Sequence, residues 1–256
     1  MLWAIDVGNT HTVVGLWDGD AWRSVWRRST DAEATEDELA AWIKAMCELD
    51  GVEMAASGVV CASVVPAMHS AIARLGGKWL GSEPRFLDRG DQVGLVVTYD
   101  PPHAVGADRL ANALGALDRF EPPIVVVDFG TATTFDAIDR QGAYVGGAIL
   151  TGIEVSSQAL FGRTAKLPQV ELVAPERAIG RTTVESLQSG LVLGYAGAID
   201  TLAARMSDEL GGARVLATGG LGSQFAALCA QIASYEPHLT LDGLRIAFAR
   251  FEASTA

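Results

Sequence analysis

The sequence predicts an α/β protein built from two similar domains, and two observations support that prediction. A short pattern near the N-terminus, Ile5-Asp6-Val7-Gly8-Asn9-Thr10, recurs half a chain later as Val127-Asp128-Phe129-Gly130-Thr131. Each copy follows an apolar run and is followed by β-type segments and then by residues with helical apolar spacing. With 256 residues, of which 49% are hydrophobic, the chain is long enough to form two modest domains with their own cores.

The first half opens with a predicted meander of three strands, joined by Gly-Asn and Asp-Gly turns that are typical of hairpins. Thr35-Glu36-Asp37-Glu38 is a capping box and predicts the start of a helix. Pro66 is placed where a helix tolerates proline, at its first position. The predicted elements of this half are the strands Leu2–Val7, His11–Trp17, Ala21–Arg28, Gly58–Val65, Pro84–Leu87 and Leu95–Tyr99, helices from Glu36 and Pro66, and the helix Gly106–Phe120.

The segment Glu121-Pro122-Pro123 is the predicted domain boundary, because a proline pair ends the preceding helix. We therefore expect domains at residues 1–120 and 121–256, each with a mixed sheet flanked by helices, and a cleft between them. In the second half the same plan starts again. Its predicted elements are the strands Ile124–Asp128, Thr133–Ile138, Ala143–Leu150 and Arg214–Ala217, the long helix Val184–Leu210 and the terminal helix Leu241–Phe251.

The charge balance argues against nucleic acid as the main partner. The formal net charge is −12, whereas affinity for nucleic acid comes chiefly from Lys and Arg on phosphates. The three cysteines are far apart in apolar surroundings, which is typical of reduced thiols in the cytoplasm rather than of disulfides or a zinc site. The N-terminus has no leader pattern, and no apolar run is long enough to span a membrane. We therefore expect a cytoplasmic protein without a membrane partner.

The paired Asp-Gly loops predict a site for nucleotide phosphate. A strand that ends in Asp, followed by Gly, hydroxyls and exposed N–H groups, can bind an oxyanion, and Gly allows positive φ and close approach. The alternative for Asp6–Thr10 alone is an ordinary hairpin turn, and its recurrence at Asp128 weakens that alternative. Thr218-Gly219-Gly220 is a third loop, either a tight connection or a platform for adenosine. The Gly-Lys-Ser/Thr sequence of a P-loop is absent.

These loops resemble those of the actin/Hsp70/sugar-kinase superfamily, and the chain resembles the type III pantothenate kinase family nearly end to end. Gly-Ala-Asp-Arg and Gln-Ser-Gly are specific to that family within the superfamily. Small departures are His11 and Thr182, where Asn is commoner in relatives. Besides the two Asp-Gly loops, the shared motifs are Ser63-Val64-Val65-Pro66, Gly106-Ala107-Asp108-Arg109, Thr164-Ala165-Lys166-Leu167-Pro168, Thr183-Val184-Glu185-Ser186-Leu187-Gln188-Ser189-Gly190 and Leu239-Thr240-Leu241-Asp242-Gly243-Leu244.

The resemblance implies a duplicated actin-like ATPase fold and a kinase that uses ATP with Mg²⁺. Asp6 would position hydrated Mg²⁺ against the phosphates, consistent with the few protein carboxylates that this ion takes. Asp128 would bind a monovalent cation, K⁺ or NH₄⁺, a choice that the residues alone do not make. The residues implied for ATP binding are Asp6, Val7, Gly8, Asn9, Thr10, His11, Thr12, Val13 and Thr131.

For the acceptor, the resemblance implies that Asp108 is the general base on the pantothenate hydroxyl. The alternative is that the Asp108 carboxylate only stabilises a helix N-terminus through its interaction with the helix dipole. Arg109 would contact pantothenate, although a surface ion pair is its alternative role. Tyr99 alone would be a core aromatic, and Thr183 alone a helix cap. The residues implied for substrate binding are Tyr99, Gly106, Ala107, Asp108, Arg109 and Thr183.

The resemblance implies that Thr183 reaches the substrate from the neighbouring subunit, so that the substrate site lies near a dimer interface. The long helix Val184–Leu210 supports a homodimer. Gly190, Gly194 and Gly197 interrupt it, and glycines weaken a helix unless close packing compensates. Packing inside the monomer is the alternative. For function, two alternatives to pantothenate phosphorylation are a kinase for another small hydroxyl compound and a regulatory, transcription-accessory protein. The first is disfavoured by Gly-Ala-Asp-Arg, and the second by the acidic surface and by Asp6, Asp108, Arg109 and Asp128 together.

Overall fold

A computed structural model describes residues 1–164 and 166–255; Ala165 of the Thr164–Pro168 motif and Ala256 lie outside the described residues. The chain forms two compact units. The first unit comprises residues 1–120 and 238–256, and the second comprises residues 121–237. Within the described chain, no helix combines the length and the apolar character that a membrane crossing requires.

The first unit contains a five-stranded mixed sheet in the order β3-β2-β1-β4-β5. β1 pairs antiparallel with β2 and parallel with β4. Trp3, Ile5 and Val7 of the central strand are fully or almost fully buried in the core. The strands are β1 (Leu2–Val7), β2 (His11–Trp17), β3 (Trp22–Ser29), β4 (Gly58–Ser63) and β5 (Pro84–Phe86).

The helices of the first unit begin and end where local signals place them. Thr35 caps the first helix in a complete capping box with Glu38, as predicted. Pro66 begins a short 3₁₀ turn that leads into the second helix. The helices are α1 (Glu36–Asp50), α2 (His69–Leu75) with a π-helical extension (Gly76–Leu80), α3 (Ala107–Arg119) and, from the C-terminus, α8 (Leu239–Thr255); 3₁₀ turns span Pro66–Met68, Gly90–Val93 and Pro102–Ala104.

The second unit repeats the plan of the first. Its sheet has the order β10-β9-β6-β7-β8, with β6 antiparallel to β7 and parallel to β9. β6 therefore corresponds to β1, and β9 to β4, which confirms the predicted duplication. The elements are β6 (Ile124–Phe129), β7 (Ala132–Ile138), β8 (Tyr144–Thr151), α4 (Ile153–Arg163), α5 (Thr183–Gln188), a π-helical turn (Ser189–Leu193), α6 (Gly194–Glu209), β9 (Arg214–Thr218), α7 (Gly222–Ala226) and β10 (Ser234–Tyr235).

The structure differs from the sequence prediction at three elements. Leu95–Tyr99 is not a strand: Leu95 is buried, but Val96 is 63% exposed and the segment forms only one isolated bridge. The predicted helix Val184–Leu210 is a helical run with a π turn in its middle. The terminal helix α8, assigned by sequence to the second domain, belongs to the first unit, because it packs on α3, β1 and β4.

Candidate functional site

The first Asp-Gly loop connects β1 to β2 at the carboxyl end of β1. Asp6 lies opposite Val13 of β2 and Ala62 of β4. The Gly8 N–H donates to the His11 carbonyl oxygen at 3.0 Å and closes the turn. A Cβ on Gly8 would lie 3.0 Å from that oxygen, a tight contact that Gly avoids. Gly8 is not among the glycines with positive φ, so the part of the sequence argument that invoked positive φ was wrong for this loop.

Thr30 supports this loop from the end of β3. Its N–H donates to the Thr10 carbonyl at 2.9 Å, and its hydroxyl donates to the Gly8 carbonyl at 2.7 Å. The Thr12 hydroxyl, 2.9 Å from the Thr30 hydroxyl, is buried with its residue. Sequence reasoning did not identify Thr30, since no local pattern connects a strand end to a loop twenty residues earlier. The Thr30 N–H and hydroxyl therefore fix the backbone conformation of a loop of the kind that can bind phosphate.

Asp108 occupies the first turn of α3, where Gly106 is the N-cap residue. Its carboxylate accepts a hydrogen bond from the Arg109 backbone N–H at 2.8 Å. Burial raises the pKa of the Asp108 carboxyl above its ordinary value, while that hydrogen bond and the Arg109 charge oppose the rise. A Cβ on Gly106 would lie 2.6 Å from Asp108 Oδ1, so any side chain at position 106 would displace the carboxylate.

The first Asp-Gly loop and the Gly-Ala-Asp-Arg motif meet at the carboxyl edge of the first sheet. Val64, just beyond β4, donates its N–H to the Val7 carbonyl at 3.0 Å. Its Cγ1 lies 3.7 Å from the position that a Cβ on Gly106 would take. Val64 therefore connects the end of β1 with the start of α3. The Ser63-Val64-Val65-Pro66 motif, noted in the sequence without a role, has this structural one.

Tyr99, also expected to contact substrate, lies in an exposed loop ahead of α3 and is 36% exposed. That exposure excludes the core role that the residue alone indicated. Ala107 and Arg109 are buried beside Asp108 in the first turn of α3. A guanidinium held in a buried position adjacent to a carboxylate is suited to bind an anionic or hydroxyl group.

The second Asp-Gly loop connects β6 to β7 with one residue fewer between its closing partners. The Gly130 N–H donates to the Ala132 carbonyl at 3.2 Å, and a Cβ on Gly130 would lie 3.3 Å from that oxygen. Gly130 also lacks positive φ. The Thr131 carbonyl accepts from the Gly152 N–H at 3.1 Å, which anchors the loop to the start of α4.

Asp128 lies beside the third loop. It is in register with Thr218 of β9. Gly219 has φ +87°, and a Cβ there would run into the Asp128 carboxylate and the Phe129 backbone. The Tyr235 hydroxyl donates to the Gly219 carbonyl at 3.2 Å, and burial, with a smaller effect of the Asp128 charge, raises the Tyr235 pKa. Sequence reasoning missed Tyr235, which lies on the two-residue strand β10.

These carboxylates suit the cations that the resemblance implies. Across residues 1–164 and 166–255, no group of three or more His, Cys, Asp or Glu side chains could enclose a metal ion. A single carboxylate at Asp6 fits Mg²⁺ that keeps most of its waters. The Asp128 carboxylate and the Phe129 backbone line the space that a Cβ on Gly219 would fill. Such a set of oxygen ligands fits a large monovalent cation.

Thr183 is the exposed first residue of α5 and does not cap the helix. Thr182 is the N-cap residue, and its hydroxyl accepts from the Glu185 N–H at 3.2 Å. The alternative reading of Thr183 as a cap was therefore wrong by one residue.

The two repeated units, with an Asp-Gly loop at the same place in each, form the duplicated actin-like fold. Two solved structures share the fold: a Campylobacter jejuni protein named for the Baf family of transcriptional activators (TM-score 0.64, 17% identity, 99% of this chain and 100% of the other), and a Sinorhizobium meliloti protein described as a 2-dehydro-3-deoxygalactonokinase (TM-score 0.57, 11% identity, 99% and 96%). At these identities the likeness shows the fold alone.

The profile of type III pantothenate kinases matches residues 2–205. A relative from Anaeromyxobacter sp. (strain Fw109-5), named type III pantothenate kinase, is 44% identical over 248 residues, covering 96% of this chain and 98% of the relative. The chain belongs to the type III pantothenate kinase family.

Proposed function

We propose that this protein is an ATP-dependent kinase that phosphorylates the primary hydroxyl of pantothenate to give 4′-phosphopantothenate, the first step of coenzyme A biosynthesis. The observation that best supports the proposal is the half-buried Asp108 carboxylate at the start of α3, which Val64 connects to the end of β1, in a chain of this family. A group that can accept a proton is therefore linked, through Val64, to the strand that carries a loop suited to bind phosphate.

Asp108 is the proposed general base. The pantothenate hydroxyl oxygen attacks the γ-phosphorus of ATP, the bond from that phosphorus to the β,γ-bridging oxygen breaks, and ADP leaves. Asp108 takes the hydroxyl proton. Since phosphoryl transfer depends mainly on positioning and charge neutralisation, a carboxylate within hydrogen-bonding reach is a sufficient base. Gly106 and the Arg109 N–H fix where that carboxylate points.

The first loop, residues Gly8 to Val13, is the proposed cradle for the ATP phosphates, with N–H groups and hydroxyls that follow Gly8 as donors, since the Gly8 N–H closes the turn. Asp6 would hold a hydrated Mg²⁺. When bound, Mg²⁺ neutralises charge on the phosphates. Because the Thr12 side chain is buried against Thr30, this residue would contribute through its backbone. Thr131 is the proposed contact from the second loop.

Arg109 is proposed to bind pantothenate oxygens through its guanidinium fork, with Gly106 and Ala107 allowing close approach of the backbone. Tyr99 and Thr183 are proposed as additional contacts, and their exposure is consistent with a role in binding. Asp128 is proposed to hold K⁺ or NH₄⁺.

The test is pantothenate-dependent release of ADP from ATP and Mg²⁺, measured in K⁺ and in Na⁺ at equal ionic strength. We expect activity in K⁺ that falls sharply in Na⁺, and an Asp128→Asn variant that no longer distinguishes the two salts. Absence of ADP in both salts from a folded protein would contradict the proposal. A kinase for another hydroxyl compound, or a regulatory protein, would then be the better assignment.

We also infer a homodimer through the helical run α5–α6. Added Cβ atoms at Gly190, Gly194 and Gly197 would each meet nothing within 4 Å. Packing within the chain therefore does not explain these glycines, although each weakens the helix by about 1 kcal/mol relative to Ala. Close approach of a second copy would explain them.

Light scattering of the wild-type protein at micromolar concentration should give the mass of two chains, and Gly194→Leu should give one. Gly162→Leu is the matched control, because Gly162 is also an exposed helical glycine with open space around it, on α4. A monomeric wild-type protein, or a dimeric Gly194→Leu variant, would contradict the inference.

A further inference from the structure

Three aromatic rings lie close to two loops of the second unit. One is the second Asp-Gly loop, proposed to contact ATP through Thr131, and the other is the Thr218–Gly220 loop, for which the sequence offered a role as a platform for adenosine. Phe129, between Asp128 and Gly130, stacks on Phe225 with ring centroids 5.5 Å apart. Tyr195 meets both rings edge-on, at 6.4 Å from Phe129 and 5.0 Å from Phe225. Phe129 belongs to the second Asp-Gly loop, and Phe225 lies on α7, which follows the Thr218–Gly220 loop. Tyr195 thus contacts one aromatic ring adjacent to each of the two loops.

Tyr195 also holds the second loop by a hydrogen bond. Its hydroxyl pairs with the hydroxyl of Thr133, a fully buried residue at the start of β7. Burial raises the pKa of Tyr195, so the phenol stays neutral and available for this hydrogen bond at physiological pH. Thr133 is two positions after Thr131, the proposed phosphate contact. The hydrogen bond therefore acts on the first residues after the loop.

The helix that carries Tyr195 has a local irregularity directly before it. Ser189–Leu193 is a π-helical turn, and α6 starts at Gly194. A π turn includes an extra residue and so changes which side of the helix the following residues occupy. Such turns are frequent at functional sites. Here the first inward side chain after Val192 is Tyr195, facing Thr133.

We propose that Tyr195 is a positioning residue for ATP, which keeps the second phosphate loop and the Thr218–Gly220 loop in the geometry that binds the nucleotide. This inference rests on the proposed function, since it takes both loops to be nucleotide contacts. Tyr195 acts through Thr133, Phe129 and Phe225 and is not proposed to touch ATP.

The test is Tyr195→Phe, which removes the hydroxyl and keeps the ring contacts. We expect the KM for ATP, and the Kd for ATP with Mg²⁺ measured by calorimetry without pantothenate, to rise about fivefold, as for loss of a partly buried hydrogen bond. The KM for pantothenate should change less than twofold. Thr133→Val should raise the KM and Kd for ATP by the same factor, whereas Thr133→Ser, which keeps the hydroxyl, should leave them at wild-type values. The double variant Tyr195→Phe/Thr133→Val should bind ATP no more weakly than either single variant.

Tyr144→Phe is the matched control for a purely structural effect. Tyr144 is fully buried in the same unit, and its hydroxyl donates to Asp136 at 2.9 Å, at the far end of the β7–β8 ladder. It should lower Tm and leave the affinity for ATP unchanged. The inference is overturned if Tyr195→Phe lowers Tm but leaves KM and Kd for ATP at wild-type values.

The same measurements separate this inference from the proposed function. A wild-type protein that binds ATP but does not phosphorylate pantothenate would refute the proposed acceptor, and the Kd comparison would still decide the role of Tyr195. A wild-type protein that binds no ATP would overturn both.

Discussion

Asp108→Asn is expected to lower kcat for pantothenate phosphorylation by about 100-fold or more, the usual contribution of a general base. The KM for ATP should stay within twofold, because the phosphate loop is held by Thr30 and by the β1–β2 turn, not by the carboxylate. Asn keeps an oxygen that can accept from the Arg109 N–H, so the first turn of α3 should retain its shape. Steady-state kinetics at saturating K⁺ measure the effect.

The same variant should be as stable as the wild type at pH 7, or more stable. The Asp108 pKa is raised by burial, so its ionisation disfavours the folded state: the favourable contribution exists below the ordinary carboxyl pKa and is lost as pH rises through the raised value. A neutral Asn removes that penalty. Thermal unfolding at pH 7 measures the change, and a lower Tm would show that the charge stabilises the fold.

Asp118→Asn is the matched control for activity. Asp118 lies on the same helix, near its C-terminal end, and pairs with Arg245 at 3.1 Å on the surface. Its replacement should leave kcat unchanged. A kcat near the wild-type value for Asp108→Asn would exclude Asp108 as the base.

The second large effect is expected at the crossing of α3 and α8. A Cβ on Gly243 would overlap the Ala111 carbonyl oxygen, and Gly115 has similar contact with the Leu239 backbone. Neither neighbour is a flexible side chain that could move aside. Gly243→Ala should therefore lower the free energy of unfolding by about 3 kcal/mol, the upper range for overpacking, in spite of the better helix propensity of Ala.

Urea unfolding measures this change. Gly162→Ala is the control, since a Cβ there meets nothing, and it should leave stability unchanged or raise it by up to about 1 kcal/mol. Equal stability of Gly243→Ala and wild type would show that the two helices can separate without cost.

Local patterns predicted most of the strands and the duplication, because alternating apolar residues and turn residues act over a few positions. They also predicted Asp6, Asp108 and Asp128 as candidates, through motifs. They failed where an arrangement depends on residues distant in sequence. Leu95–Tyr99 has the β-branched and aromatic composition of a strand, but it forms only one isolated bridge and stays a loop.

The parts of the candidate site that sequence did not reveal are side chains that hold the loops. Tyr195 and Thr133 are 62 positions apart, and Tyr235 bonds to Gly219, beside Asp128, only because β10, β9 and β6 are neighbours in one sheet. Likewise, the position of α8 depends on Gly115 and Gly243, which let α8 contact α3 closely. The local sequence does not distinguish these glycines from glycines in turns.

The return of α8 to the first unit has a consequence for synthesis on the ribosome. The second unit, residues 121–237, is continuous in the chain, whereas the first unit includes residues 238–256. Domains tend to fold as they emerge, with the N-terminal one first. Here that order is reversed for completion: the first unit can be closed only after the second unit has been translated, because the helix that covers α3, β1 and β4 follows the second unit in the chain.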